Sequence, residues 1–307
     1  MVPRITEAGS SFATPILDGI DSVAQIAQQL EGVQQELDAL RSEINLLRRR
    51  DETLNFNMHR LDEELRLAAR IQQDFLPKSL PQIGDIYFHT LFRPAGYVSG
   101  DLYDVMRLDE RRVGFYIADA VGHGMPAALL TMFLKHALVT KEISPTGYRL
   151  LAPSEAMQRL NETLIAQDLS HAAIATAVYG VIDVQTRKVT LARAGHPLPL
   201  VLRANGTLTK IESEGGLLGV FPDERFADVT FALDPGDRLV LYTDGVEIGF
   251  GGRTPIDETA WHFELTQRNA LSGNELLLGL ARKLDESAGS LDPKDDLTMI
   301  VVEAKAA

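Results

Sequence analysis

Apolar residues recur at the first and fourth positions of a seven-residue repeat that runs from Val23 to Phe75. Only Asp51 and Gln72 break this apolar seam, and no proline falls within it. A repeat sustained over this length is typical of a coiled coil rather than of an ordinary amphipathic helix. The sequence therefore predicts a coiled-coil helix and linker over residues 21–76, with these seam residues: Val23, Ile26, Leu30, Val33, Leu37, Leu40, Ile44, Leu47, Asp51, Leu54, Met58, Leu61, Leu65, Ala68, Gln72 and Phe75.

The polar seam residue Asp51 has two interpretations. A single buried polar residue often fixes the register of a coiled coil, and the alternative is a deliberate weak point in a signalling helix. Towards its end the seam degrades at Ala68 and Gln72, so we expect the last two turns to pack against something other than a partner helix. A parallel homodimer is the first hypothesis for the coil, and an intramolecular or heteromeric bundle is its rival.

The residues on either side of the repeat have a different character. Residues 1–20 carry no periodicity and are expected to be flexible. Pro77 and Pro81 end the helix because proline lacks the backbone N–H and clashes with the preceding turn. From residue 77 onward the pattern alternates between strands and helices, which predicts two packed sheets flanked by helices. The predicted strands are 86–92, 102–108, 113–118, 172–182, 188–194, 198–203, 228–233, 238–242 and 297–303, and the predicted helices are 126–141, 153–169 and 274–287.

Composition excludes several classes of protein. The 307 residues contain no cysteine, which excludes a disulfide framework, thiolate zinc sites and a cysteine nucleophile. A net charge of −13 argues against partners such as nucleic acid and anionic membranes. An alternative interpretation is that the negative charge only keeps the protein soluble. There is no recognisable signal peptide, and the longest uncharged apolar run, 172–182, is too short to span a bilayer. A cytoplasmic location is therefore expected.

Four aspartates each lie where an apolar run meets a turn. Asp101 lies in Val98-Ser-Gly-Asp-Leu-Tyr-Asp104, Asp119 in Ile117-Ala-Asp-Ala-Val-Gly-His-Gly124, Asp244 in Leu241-Tyr-Thr-Asp-Gly245, and Asp295 in Lys294-Asp-Asp-Leu-Thr298. Carboxylates that converge on one place repel each other unless cations lie between them, and oxygen-only ligands favour Mg²⁺ or Mn²⁺. The pattern therefore indicates a two-metal hydrolytic centre, in which the ions polarise phosphoryl oxygens and acidify a water molecule.

Each of these motifs also has a plain structural interpretation. Asp244-Gly245 is a common turn dipeptide, the pair Asp295-Asp296 could simply solvate a loop, and the glycines around His123 could form a tight turn. His123 and His196 could both be structural histidines. The coincidence of four such motifs in one domain favours the metal centre. No Gly-x-Ser-x-Gly elbow, phosphoaspartate motif, P-loop or kinase motif offers another chemistry.

Taken together, these stretches resemble the metal-dependent serine/threonine protein phosphatases (PPM, or protein phosphatase 2C-like). The bacterial branch typified by the sporulation stage II protein E and the sigma-B stress-response phosphatases is the most similar part of that family. The resemblance covers residues 67–303 in the family's order. Besides the aspartate motifs it rests on 67–77, Ala194-Gly-His-Pro197, Leu217-Leu-Gly-Val220 and 235–245.

The resemblance implies an α+β fold, an α-β-β-α sandwich, over residues 77–307. It implies two Mn²⁺ or Mg²⁺ ions, with Asp119 bridging them, the Ala120 carbonyl as a further ligand, and Asp101, Asp244 and Asp295 as the other carboxylates. Asp119, Asp101 and Asp244 would be the catalytic residues. The implied substrate is phosphoserine or phosphothreonine on a regulatory protein, typically an anti-anti-sigma factor, and the linker would connect the catalytic domain to an upstream regulator.

Some positions depart from the family pattern. Ala120 replaces the glycine of the eukaryotic relatives, His123 is displaced from their proposed general acid, and Glu247 comes one residue early. The usual phosphate-binding arginine is missing from its place, and Arg93 is the nearest candidate. A catalytically silent scaffold that only binds a phosphoprotein is the alternative function, although such a protein would be expected to have lost some of its carboxylates.

Overall fold

The computed structural model describes residues 14–145, 147–168, 173–251, 258–286 and 293–305. The chain divides into two compact units, one ending at Glu64 and one running from Leu65 to the C-terminus. The predicted flexible N-terminus lies outside the described residues up to residue 13, whereas residues 14–20 are helical. Among the described residues, no helix has both the length and the apolar composition that crossing a bilayer requires.

The first unit consists of helix α1, which begins at Thr14 and continues as one helix into the second unit, where it ends at Phe75. Its seam side chains from Ile26 to Leu61 are exposed, for example Leu30 at 64% and Leu47 at 54%. On the surface of α1, Arg41 pairs with Asp38, and Asn55 donates a hydrogen bond to Asp51. Such exposed pairs contribute only a few tenths of a kcal/mol, so α1 needs burial of its seam for stability.

The second unit contains two five-stranded antiparallel sheets. The first has the strand order β1-β12-β11-β8-β9 and the second the order β10-β7-β6-β3-β2, and β4 and β5 form a separate hairpin. The strands are β1 (Ile86–Arg93), β2 (Asp101–Arg107), β3 (Arg112–Ala120), β4 (Lys141–Ser144), β5 (Gly147–Leu150), β6 (Ala175–Asp183), β7 (Lys188–Ala194), β8 (Leu200–Leu202), β9 (Leu208–Lys210), β10 (Val229–Ala232), β11 (Arg238–Tyr242) and β12 (Leu297–Ala304). The helices are α2 (Met125–Ala137), α3 (Pro153–Ala166), α4 (Asp244–Gly251), α5 (Glu258–Gln267) and α6 (Gly273–Asp285).

Three hydrophobic clusters account for the burial of these elements. One cluster contains residues of both sheets, such as Phe115 of β3 and Ile300 of β12. A second joins β3 and β6 to α2 and α3 and includes Leu160, and a third joins β11 and β12 to α5 and α6 and includes Trp261. The second unit is therefore a mixed helix and sheet fold, with buried side chains of both sheets in one cluster and of strands and helices in the other two.

Most predicted strands are present, and the differences are local. The helix predicted over 126–141 ends at Ala137, because Leu138 is extended and the β-branched Val139 and Thr140 lead into β4. The β4–β5 hairpin, β9, α4 and α5 were not predicted. The expectation of a turn at Asp244-Gly245 was wrong, since helix α4 begins there.

Glu303 of β12 accepts the hydrogen bonds of a buried polar cluster that lies away from the aspartate motifs. Arg238 Nε donates to Glu303 Oε1 at 2.9 Å, His89 Nε2 lies 3.1 Å from Oε2, and the Gly273 amide donates at 3.2 Å. Burial alone would raise the pKa of Glu303, but the hydrogen bonds from His89 and Arg238 outweigh it and lower the pKa to about 2. The carboxylate therefore fastens the start of α6 to the first sheet.

Because the folded pKa lies below the unfolded one, the stabilisation from Glu303 is present above about pH 4.5 and is lost as the pH falls towards 2. We expect Glu303→Gln to lower the free energy of unfolding at pH 7 by about 2–3 kcal/mol and to flatten its dependence on pH in this window. Urea titrations at pH 7 and pH 3.5 measure both effects. The exposed Glu212→Gln is the control, and equal losses in the two variants would contradict the assignment.

Candidate functional site

Asp101 and Asp119 face each other across two neighbouring strands. Asp101 is the first residue of β2, Asp119 lies one residue before the end of β3, and the two are direct register partners. Partners opposite each other in an antiparallel pair have side chains on the same face, with Cβ atoms roughly 5 Å apart. Ala120, the next residue, is buried at the same end of β3. Strand pairing thus brings two of the predicted carboxylates together.

Hydrogen bonds to Asp101 connect this strand end to the other sheet. Its Oδ2 accepts from Thr243 Oγ1 at 2.8 Å and from Thr298 Oγ1 at 2.7 Å. Thr243 precedes Asp244, and Thr298 follows the pair that contains Asp295. Thr243 and Thr298 are also joined by two hydrogen bonds of 3.0 Å that involve their backbones. One buried carboxylate therefore holds the ends of β11 and β12 beside β2.

Gly245 allows the segments of Asp244 and Asp295 to approach each other. A Cβ atom at position 245 would lie 1.9 Å from the carbonyl oxygen of Asp296, closer than any side chain permits. The glycine at 245 is thus required by close backbone packing. Any larger residue at 245 would separate the two strand ends.

Burial and mutual repulsion perturb these carboxyl groups. Burial raises the pKa of Asp101 to about 8, even though the hydrogen bonds from Thr298 and Thr243 oppose the shift. The pKa of Asp119 rises to about 9, first through burial and then through the charges of Asp101 and Asp244. Burial and the charge of Asp244 also raise the pKa of Asp295, while the hydrogen bond from the Asp296 amide, and to a smaller extent His123, oppose the shift. The charges of Asp101, Asp244 and Asp295 therefore all act on Asp119.

These side chains suit a hard divalent cation in their chemistry. Carboxylates and a backbone carbonyl provide only oxygen donors, and buried carboxylates that repel one another are stabilised by a cation placed between them. Within the ranges that the structure describes, however, no three Asp, Glu or His side chains are already grouped so that they could hold a metal ion. Asp101 Oδ2 instead accepts hydrogen bonds from two threonine hydroxyls. The ligand set thus remains a prediction.

Sequence reasoning gave no separate role to Asp296. The structure buries this residue to 8% exposure, and its carboxylate accepts from the Ala95 amide at 2.7 Å and the Gly100 amide at 2.6 Å. It therefore fixes the backbone that leads into Asp101. Nothing in the sequence distinguished Asp296 from its neighbour Asp295 as the acceptor for this backbone.

The last turns of α1, which belong to the second unit, contact the same backbone. Gln72 Nε2 donates to the Ser99 carbonyl at 2.7 Å, and the Ser99 amide donates to Gln72 Oε1 at 2.9 Å. Ser99 Oγ in turn accepts from the Asp101 amide at 3.0 Å. The prediction that the end of the seam packs against something other than a partner helix is confirmed, because Gln72 is only 2% exposed.

Lys135 of α2 makes a second connection to the end of α1. Its ammonium group pairs with Asp104 at 3.0 Å and also donates to the carbonyl of Phe75. Asp104 lies on β2, which begins at Asp101. The C-terminus of α1 is thus attached both to the strand that carries Asp101 and to the helix that follows Asp119.

Two other polar residues considered from the sequence have defined partners. Arg93, the candidate phosphate ligand, pairs instead with Asp285 at 2.6 Å and donates to the carbonyl of Ala281. Glu247 accepts from the Tyr242 hydroxyl at 3.0 Å. A cavity of about 390 Å³ opens beside the carboxylates; its lining residues are Asp119, Thr176, Gly195, His196, Pro197, Leu198, Lys210, Tyr242, Asp244 and Glu247.

Comparisons with known proteins agree with this architecture. The chain is 33% identical over 187 residues to the phosphoserine phosphatase RsbP of Bacillus subtilis, covering 60% of this chain and 45% of RsbP. It is 27% identical over 300 residues to the phosphoserine phosphatase RsbU of the same organism, covering 96% of this chain and 78% of RsbU. The chain thus spans less than half the length of RsbP.

A solved structure shows the same fold. The SiaA-PP2C domain of Pseudomonas aeruginosa superposes with a TM-score of 0.67 at 22% identity, covering 80% of this chain and 98% of that one. The description "Stage II sporulation protein E (SpoIIE)" names the family that matches residues 109–305, a stretch that contains Asp119, Asp244 and Asp295 but starts after Asp101. Since the match covers more than half of the 307 residues, the chain belongs to the SpoIIE family, and its second unit has the PP2C-like fold.

Proposed function

We propose that the protein is a Mn²⁺- or Mg²⁺-dependent protein serine/threonine phosphatase. The observation that carries the proposal is the convergence of Asp101, Asp119, Asp244 and Asp295 from both sheets, with burial and mutual repulsion raising the pKa of three of them. Its substrate would be phosphoserine, or phosphothreonine, on a regulatory protein of the anti-anti-sigma type. The phosphoserine phosphatases RsbP and RsbU support this choice of substrate class.

In this proposal Asp119, Asp101, Asp244, Asp295 and the Ala120 carbonyl would hold the two ions, with Asp119 as the ligand shared between them. When bound, the ions would polarise the phosphoryl oxygens and activate water. The chain's own residues hold these groups in place. Thr243 and Thr298 orient Asp101, and Asp296 fixes the backbone at Gly100. The cavity next to Asp119 and Asp244 gives the phosphorylated residue access to the site.

The division of the chain is also part of the proposal. We assign residues 77–307 to an α-β-β-α sandwich, which the three hydrophobic clusters support, and residues 21–76 to a coiled coil that holds a parallel homodimer. The exposed seam of α1 supports the coil. An upstream regulator would act on this helix in the cytoplasm.

A regulatory signal in α1 would reach the site through its last turns. Gln72 holds both backbone polar groups of Ser99, and Ser99 Oγ holds the Asp101 amide. Movement of α1 would therefore change the position of Asp101.

We expect Gln72→Leu to reduce turnover about tenfold and to lower the free energy of unfolding by about 1–3 kcal/mol, because two buried backbone groups lose their partners. The neighbouring Gln73 is exposed, so Gln73→Leu is the matched control. Phosphopeptide turnover and urea titrations measure both effects. A Gln72→Leu variant with wild-type turnover would show that the site does not depend on this contact.

The proposed function is tested with the purified chain and a phosphoserine peptide or p-nitrophenyl phosphate. Phosphate release is expected with Mn²⁺ and not after chelation, and it should return when Mn²⁺ is added back. Activity that survives chelation would exclude the metal mechanism. Calorimetry that shows phosphoprotein binding without turnover at saturating Mn²⁺ would favour the silent scaffold.

A further inference from the structure

His196, in the Ala194-Gly-His-Pro197 motif, lies between the two sheets beside the candidate site. Its Nδ1 is 2.8 Å from the Thr176 hydroxyl, and Thr176 on β6 is the register partner of Asp119 on β3. His196 also lines the cavity that Asp119 and Asp244 share. One side of the imidazole is therefore fixed to the strand adjacent to Asp119.

The other side of the ring faces the first sheet at Tyr242, the last residue of β11 and two residues before Asp244. Burial lowers the pKa of His196 to about 3, so the ring is neutral, and the Tyr242 backbone opposes this shift only in part. Nε2 is buried, and within the described part of the chain it makes no hydrogen bond of ordinary geometry. The ring is thus an uncharged group that contacts β6 through Nδ1 and lines the cavity beside Asp119 and Asp244.

The backbone of His196 is held from several directions. Gly195 forms a bridge with Ala177 of β6, and its amide donates to the Gly215 carbonyl at 3.0 Å. Arg193 Nη1 donates to the His196 carbonyl at 2.9 Å. At position 195 the backbone has φ +62, and a Cβ atom there would lie 2.6 Å from Leu217 Cδ2, so this turn requires glycine. The ring cannot move away from its place without disturbing β6.

We propose that His196 is a positioning residue that sets the spacing between the strand ends carrying Asp119 and Asp244. The inference rests on the proposed function, since it concerns the site at which those carboxylates would share metal ions. This gives a role to the Ala194-Gly-His-Pro197 motif, which contains none of the proposed metal ligands. Residues that orient metal ligands typically change metal affinity 10–100-fold when they are replaced.

The test is Mn²⁺ binding to the metal-free full chain by calorimetry, with thermal unfolding measured in parallel. Thr176→Val has nearly the same shape but cannot bond Nδ1, whereas Thr176→Ser keeps the hydroxyl. We expect about tenfold weaker Mn²⁺ binding for Thr176→Val and for His196→Asn, and near wild-type binding for Thr176→Ser. Because the two changes break one connection, the double variant should bind no more weakly than the weaker single variant.

Other results would overturn the inference. Wild-type Mn²⁺ affinity in folded Thr176→Val or His196→Asn would show that the ring does not set the spacing. Equal losses in the Val and Ser variants would show that the hydroxyl is not the connection. A wild-type chain that binds no Mn²⁺ would overturn the proposed function itself, and this inference with it.

Discussion

Replacing Asp119 with asparagine is expected to reduce Mn²⁺-dependent phosphatase turnover about 1,000-fold. Asp119 is opposite Asp101 in the strand register, and its charge is coupled to those of Asp244 and Asp295. As the proposed ligand shared by both ions, Asp119 would lose its negative charge in this variant, and the binding of both ions would weaken. A loss of about 4 kcal/mol in transition-state stabilisation corresponds to this factor.

The same change should have the opposite effect on the metal-free protein. Asp119 is partly buried among other carboxylates and has a raised pKa, so a neutral side chain removes repulsion. We therefore expect metal-free Asp119→Asn to be at least as stable as the wild type. Mn²⁺ at a hundredfold excess over its dissociation constant should stabilise the wild type by about 3 kcal/mol. We expect the variant to lose this stabilisation. Thermal unfolding with and without Mn²⁺ measures both.

Asp237→Asn is the matched control for this experiment. Asp237 is also buried, at 2% exposure, but it lies just before β11, at the opposite end of that strand from Asp244, and pairs with Arg203 at 2.6 Å. We expect this variant to lose stability and to keep its activity per folded molecule. Wild-type turnover in Asp119→Asn, or an equal loss of turnover in Asp237→Asn, would contradict the metal assignment.

The sequence predicted those parts of the molecule that depend on local patterns. The heptad period of α1 and the alternation of strands are visible in short windows, and each aspartate motif marks the end of an apolar run. The site residues themselves remain predictions. The contacts that the sequence did not predict are those between segments that lie far apart along the chain. For example, Asp296 rather than Asp295 accepts the hydrogen bond from the Gly100 amide, in a fold where Gly245 packs against the Asp296 carbonyl.

Two other features were hidden for different reasons. The strands β4 and β5 are four residues each and largely exposed, so they carry no apolar alternation. Helix α4 starts at an Asp-Gly pair whose local preference is a turn, and tertiary packing overrides that preference. By contrast, the polar Gln72 in an apolar seam was a local signal, and its burial against Ser99 explains the break in the repeat.

Introducing charge into the seam of α1 should convert a dimer into a monomer. Leu40 and Leu47 occupy the fourth position of successive heptads and are 49% and 54% exposed in the single chain. Burying a leucine contributes about 1.5–3 kcal/mol, and a dimer would bury both residues from each chain. The double variant Leu40→Glu/Leu47→Glu therefore loses about 6 kcal/mol or more of association free energy, a rise in the dissociation constant of at least about 10,000-fold.

The chain also supplies a matched control for the seam. Leu46 and Phe56 are exposed to 58% and 67%, but they occupy positions outside the first and fourth places of the repeat. Light scattering at micromolar concentration should give twice the 33.7 kDa chain mass for the wild type and for Leu46→Glu/Phe56→Glu, and the single-chain mass for the seam variant. Helix content by circular dichroism should fall with dissociation, because a long helix without a partner has little to stabilise it. Dissociation in the seam variant alone would identify the apolar seam as the contact between two copies. A monomeric wild type, or dissociation of both double variants, would show that the repeat has another partner or none.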